Sequence, residues 1–181
     1  MKKTFTAREL TYTAAGTALI AVCSWISVPI TIPVTLQTFA VCLIAALFGA
    51  KTGLWSVLSF ILLGAAGVPV FSGFRGGAGV LAGVTGGYII GFILTALTVG
   101  LAADKKGKSL SVLIPAMAAG VLLCYAFGTA WFLIFRVRSG SPVTLWAALG
   151  LCVVPYLIPD GVKIVLAACL ARRLAPLIRK A

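Results

Sequence analysis

Asp160 and Lys163 are the residues of this 181-residue chain best placed to do chemistry. They stand in an apolar stretch, LCVVPYLIPDGVKIVLAACLARRLA (151–175), that otherwise suits a bilayer. A charged side chain near the bilayer centre costs roughly 2.5–3.5 kcal/mol on insertion scales. Three residues apart on a helix, the two share a face and partly neutralise each other. Such a pair either locks its helix to a neighbour or offers a buried donor and acceptor to a polar ligand. Bond-breaking chemistry has little to work with: there is no His, and the acids are Glu9, Asp104 and Asp160 alone. No nucleophile–base pair presents itself, so an enzyme is not expected. Pro155 and Pro159 predict a break in the last helix near those residues, and a half-helix starting near Asp160. Its free N–H groups and positive dipole end would point into the protein. A broken helix at membrane depth is tolerated only where it lines a cavity or is buried in protein.

Two further stretches carry polar groups toward the same end. Residues 29–37, PITIPVTLQ, are held extended by prolines and offer Thr31, Thr35 and Gln37 without any charge. They form a candidate lid. Residues 64–87, GAAGVPVFSGFRGGAGVLAGVTGG, hold nine of the chain's twenty glycines. That density lets backbone approach a ligand closely, and it serves tight loops and close helix packing equally well. Phe71, Phe74 and Arg75 lie within it. Thr85, Gly86 and Tyr88 follow in a GVTGGY run that lacks the Lys-Ser/Thr end of a phosphate loop. Apolar walls with a few polar groups are what a small-molecule pocket requires, and Tyr156 adds a further aromatic beside Asp160.

The elements that must position these residues are membrane helices. Hydrophobic residues make up 61% of the chain and charged residues 10%, against about 25% charged in a soluble domain. The reading is an all-α integral membrane protein, one domain over 1–181, with six transmembrane helices. They are expected over 7–28, 36–50, 52–64, 86–102, 109–135 and part of 144–175. The basic N-terminus followed by the 11–28 run reads as a retained first helix rather than a cleaved signal. With both termini cytoplasmic, eleven Lys and Arg fall inside and three (Arg75, Arg136 and Arg138) outside, with Lys163 in the membrane. That distribution satisfies the positive-inside rule and explains the +12 net charge without nucleic acid. Asp160 is about 20 Å up the axis from Arg173, so the site faces the outside.

The five cysteines are odd in number, lie in apolar segments and form no CxxC pair. They read as buried small hydrophobes, with no metal site or disulfide framework. Trp25, Trp55, Trp131 and Trp146 fall near helix ends, as interfacial belt residues do, and Trp25, like Tyr156, could equally face the site. Ala14 and Ala18, four apart in the first helix, let a partner helix approach closely, either within the chain or from another membrane protein.

Four motifs in order, PVTLQT (33–38), GxPVFxxF (67–74), GVTGGYxxGF (83–92) and PYLIPDxxK (155–163), resemble the BioY family. These are biotin-capturing S components of energy-coupling-factor (ECF) transporters. Val84 departs from the family's usual proline in GPTGGY. The resemblance implies a six-helix membrane protein of the cell membrane that binds biotin from outside. It implies as partners an ECF transmembrane scaffold subunit and two ATPase subunits, with ATP used by those subunits and no cofactor on this chain. It implies ligand contacts at Asp160 and Lys163, and docking on the scaffold through Ala14 and Ala18. The rivals are a stand-alone secondary transporter or channel for another small anion or vitamin, and an assembly subunit without a ligand.

Overall fold

The computed structural model describes residues 6–28 and 33–180. Elements run α1 (Ala7–Trp25), β1 (Ser27–Val28), β2 (Val34–Thr35), α2 (Gln37–Ala65), α3 (Ala78–Ala82), α4 (Gly86–Lys106), α5 (Leu110–Arg138), α6 (Leu145–Cys152) and α7 (Val154–Lys180). Among the described residues the regular elements are all helices apart from the two-residue ladder of β1 and β2, which is antiparallel and pairs Ser27 with Thr35. Among the described residues, four helices are long and apolar enough to cross a membrane: Gln37–Ala65, Gly86–Lys106, Leu110–Arg138 and Val154–Ile178.

The first helix begins with a capping box, in which Thr6 and Glu9 satisfy each other's backbone N–H groups. It ends at Trp25, three residues short of the expected 28. The segment 29–32, which includes Thr31 and most of the candidate lid, lies outside the described residues. The lid's last residues are extended, as the prolines require, and Leu36 N–H donates back to the carbonyls of Cys23 and Ile26.

The helix α2 is a hairpin. Gly49 is non-helical (φ 80°, ψ −179°), a conformation open to glycine and costly for other residues. A Cβ placed on Gly53 would lie 3.0 Å from Ala45 Cα, whereas eight residues of continuous helix would separate them by about 12 Å. The arms 37–48 and 50–65 therefore run antiparallel, as the two short helices predicted over 36–50 and 52–64 require. Two side chains from the end of α4 and the following linker close the exposed backbone at this tip. Asp104 Oδ2 accepts from Ala50 N–H (2.9 Å), and Lys108 Nζ donates to Leu47 C=O (2.6 Å). An anion thus meets the N-terminus of one arm and a cation the C-terminus of the other. Burial pulls the Lys108 ammonium below its ordinary pKa, and neighbouring Asp104 opposes that shift.

Glycines set the closest approaches. Side chains on Gly87, Gly91 and Gly128 of α4 and α5 would collide with Trp131, Cys124 and the Tyr88 ring. Small residues allow such close packing where no hydrophobic force drives helices together in lipid. The core comprises both arms of α2 and the facing sides of α1, α4, α5 and α7, with Phe60, Ile44, Leu113 and Met117 fully enclosed.

The expected break near Pro155 and Pro159 is displaced. It falls at Val153 (φ −124°, ψ −56°), where α6 ends and α7 begins, and α7 runs through Pro159 without interruption. Pro155 occupies the first turn, where its missing N–H has no partner to lose. The ring of Pro159 faces the carbonyl of Pro155, in a turn whose distortion costs little. Asp160 is consequently the seventh residue of α7. The half-helix N-terminus expected there is six residues earlier, and in its first turn Pro155 has no N–H and the Tyr156 N–H donates to Val153 C=O (2.9 Å).

Candidate ligand-binding site

The buried face of α7 consists of Tyr156, Asp160, Lys163, Ile164, Ala167, Ala168 and Ala171. That is a 3.6-residue stripe. Its lower part, all small, packs against neighbouring helices. Its upper part carries the polar residues into a cavity. The cavity is walled by α2 (Gln37, Thr38), the glycine-rich loop (Phe71, Ser72, Arg75, Val80, Thr85), α4 (Tyr88, Ile89, Phe92), α5 (Val121, Cys124, Tyr125) and Cys152 of α6. Pro33 and Thr35 of the residual lid stand at its edge.

Asp160 and Lys163 form an ion pair at 2.7 Å, with only 5% and 7% of each residue exposed. Two ions in so dry a place cost several kcal/mol to desolvate, and their attraction repays this only with further hydrogen bonds. Tyr125 supplies one, its hydroxyl donating to the second Asp160 oxygen at 2.5 Å. Lys163 retains donors beyond the one given to Asp160. The pair is therefore both an acceptor and a donor presented to the cavity.

A second polar group is built from the lid and the start of α2. The Thr35 hydroxyl accepts from Gln37 N–H (3.2 Å) and donates to Gln37 Oε1 (3.0 Å). This fixes the amide with its Nε2 free. Gln37 is 5% exposed, and its Nε2 is buried without a hydrogen-bond partner. A buried donor left unmade costs about 1–3 kcal/mol, so an acceptor on a ligand gains by meeting it. Arg75, exposed at the mouth, adds a positive charge; its Nε donates to Ser72 C=O (3.0 Å).

The glycine-rich loop is held from both sides. Gly77 N–H donates to Gly64 C=O (2.7 Å), and an antiparallel bridge joins Phe71 to Arg75. The Phe71 ring lies over Gly64, where a Cβ would occupy its place, and meets Phe60 edge-on at 5.4 Å. From α1, Ser24 Oγ donates to Val70 C=O, and Trp25 Nε1 donates to Pro69 C=O (2.9 Å) while stacking on Phe74 at 5.0 Å. From α5, Trp131 Nε1 donates to Gly83 C=O (3.0 Å). Trp131, expected as a belt residue, and Trp25, expected either in the belt or facing the site, thus tie the loop in place.

Of the residues singled out in the sequence, Thr35, Gln37, Phe71, Arg75, Thr85, Tyr88, Tyr156, Asp160 and Lys163 line this one cavity. Gly86 does not. It is buried where a side chain would strike the Leu81 carbonyl, so it serves the turn. Tyr125, Phe92, Val121, Cys124 and Cys152 line the cavity without having been anticipated. Tyr125 had a signal: a phenol in mid-helix needs a partner when buried, and Asp160 is the acid at membrane depth. Ala14 and Ala18 lie on the exposed side of α1, opposite the face (Thr13, Gly16, Thr17, Ile20) that packs on α2.

Comparison with known proteins adds four findings. The model of the BioY family matches residues 1–180. The biotin transporter BioY of Thermotoga maritima is 43% identical over 171 residues, covering 94% of this chain and 97% of the relative. The probable biotin transporter BioY of Pyrococcus horikoshii is 38% identical over 169 residues, covering 93% and 96%. Among solved structures, the S-component for biotin from an ECF-type ABC transporter superposes with a TM-score of 0.83 at 28% identity, covering 98% of this chain and 96% of that one.

Proposed function

The chain belongs to the BioY family, and from that premise we propose that it captures biotin as the S component of an ECF-type transporter. It is a transporter component and not an enzyme. The observation that carries the ligand assignment is a single cavity with apolar walls that is lined by the buried Asp160–Lys163 pair, the buried Gln37 amide and the exposed Arg75. At the enclosed end, Asp160 accepts and Lys163 donates, matching the N–H and C=O groups of a ureido ring. Toward the mouth, the unpartnered Gln37 Nε2 and the Arg75 guanidinium suit a carboxylate. Phe71, Tyr88, Phe92 and Tyr156 enclose the apolar ring and tail between them.

The membrane arrangement supports capture from outside. Six crossings are made by α1, the two arms of α2, α4, α5 and α7, with α6 lying at the outer face. Both termini are cytoplasmic. Arg8, Glu9, Lys51, Asp104 and Lys108 gather at the inner end, where Arg8 binds Ile178 C=O and Lys51 pairs with Glu9 (2.8 Å). The cavity opens at the other end. The partners are an ECF scaffold subunit, docked on the exposed Ala14 and Ala18 side of α1, and two ATPase subunits. ATP is consumed by those subunits, and this chain needs no cofactor. The lid at 29–37 closes over bound biotin, and the subunit reorients when the ATPases act.

The test is biotin binding by the purified protein in detergent, freed of carried-through ligand, beside Asp160→Asn and Lys163→Ala. Tight binding by the wild type and its loss in both variants is expected. A folded wild type that binds no biotin would remove the assignment. Biotin flux in vesicles without ATPases would favour a stand-alone transporter.

A further inference from the structure

We infer that Tyr125 is a positioning residue for ligand selection: acting through Asp160, it fixes which lone pair of that carboxylate is offered to the bound molecule. The inference rests on the biotin reading of this cavity. Asp160 is held from two directions, by Lys163 three residues on in α7 and by the Tyr125 hydroxyl from α5. Each carboxylate oxygen has two acceptor positions. With one position on each oxygen already filled, the remaining ones have a set direction. A ligand N–H meets a carboxylate that has no rotation left to lose.

Without the phenol, Lys163 alone would restrain the group, and an uncompensated oxygen would remain in a dry site. Tyr125 itself is 8% exposed and lines the same cavity. Its backbone belongs to the helix whose Gly128 receives the Tyr88 ring. The hydroxyl is therefore placed by close packing of helix on helix and not by a loop. Because Tyr125 touches the ligand's acceptor and not necessarily the ligand, its effect must pass through Asp160 and must depend on the ligand having an N–H there.

The experiment measures affinities for biotin and for an analogue methylated on its ureido nitrogens, in the wild type and in Tyr125→Phe, Asp160→Asn and the double variant. Melting temperatures of the ligand-free proteins are recorded in parallel. Tyr125→Phe is expected to weaken biotin by roughly tenfold or more, the worth of a hydrogen bond to a charged group. The analogue should change far less, and Tyr125→Phe should add nothing to the weak residual affinity of Asp160→Asn, read at raised biotin concentration. An equal fall for both ligands, or the same loss with and without Asp160, overturns the positioning role. Tighter biotin binding by Tyr125→Phe also overturns it, because the phenol would then compete with the ligand. Absence of biotin binding by the wild type overturns this inference together with the ligand assignment, whereas the other outcomes leave that assignment standing.

Discussion

Lys163 and Asp160 stabilise the protein only as a couple. Removing one leaves a charge in a site that is more than nine-tenths enclosed, at a cost of about 3–5 kcal/mol. Removing both with a similar volume is often neutral. Lys163→Ala is therefore expected to lower the melting temperature of the ligand-free protein, while Lys163→Met combined with Asp160→Asn restores most of it. Both variants should bind biotin poorly. Thermal unfolding and titration on the same samples separate the two effects, and a double variant as unstable as Lys163→Ala would contradict the account. The pair was legible in the sequence because charge is conspicuous in an apolar segment. Thr35, Gln37 and Arg75 were legible because prolines and glycines mark the loops around them. Cys124 was not, since apolar helices carry no mark of which side faces inward, and Tyr125 was marked by its phenol alone.

At the scale of elements, glycine contacts determine that rotation. Gly91 against Cys124 and Gly120 against Thr95 set the register of α4 on α5, and with it the presentation of Tyr88, Phe92, Val121 and Tyr125. Many glycines in the sequence pointed equally to loops and to packing, so the register could not be read from them. The position of the α6–α7 break was misjudged for a related reason. Prolines advertise a break, yet a proline whose i−4 carbonyl lies in the first turn scarcely disturbs the helix. The hairpin of α2 was anticipated as two short helices, but the side chains that close its tip lie in a distant part of the sequence. Asp104→Ala removes a cap from the second arm, and a lost cap costs about 0.5–2 kcal/mol. The variant should melt earlier while its biotin affinity, at the opposite end of the molecule, changes little. Equal loss of stability and affinity would mean that the tip and the cavity are energetically linked.

For the molecule as a whole, polarity across the bilayer is the property to check. In a background with the native cysteines replaced, Ser141→Cys should react with an impermeant thiol reagent in intact cells. Lys106→Cys should react only after permeabilisation, and the reverse pattern would invert the proposed topology. The closure of the hairpin tip also sets an order of assembly. Ala50 and Asp104 are 54 residues apart, and Leu47 and Lys108 are 61 apart. As the chain emerges from the ribosome, the tip of α2 is synthesised well before the groups that complete it. In that interval its bare amide and carbonyl have only interfacial water. The arrival of the end of α4 exchanges that water for protein, so the hairpin becomes permanent only when more than half of the polypeptide has been made.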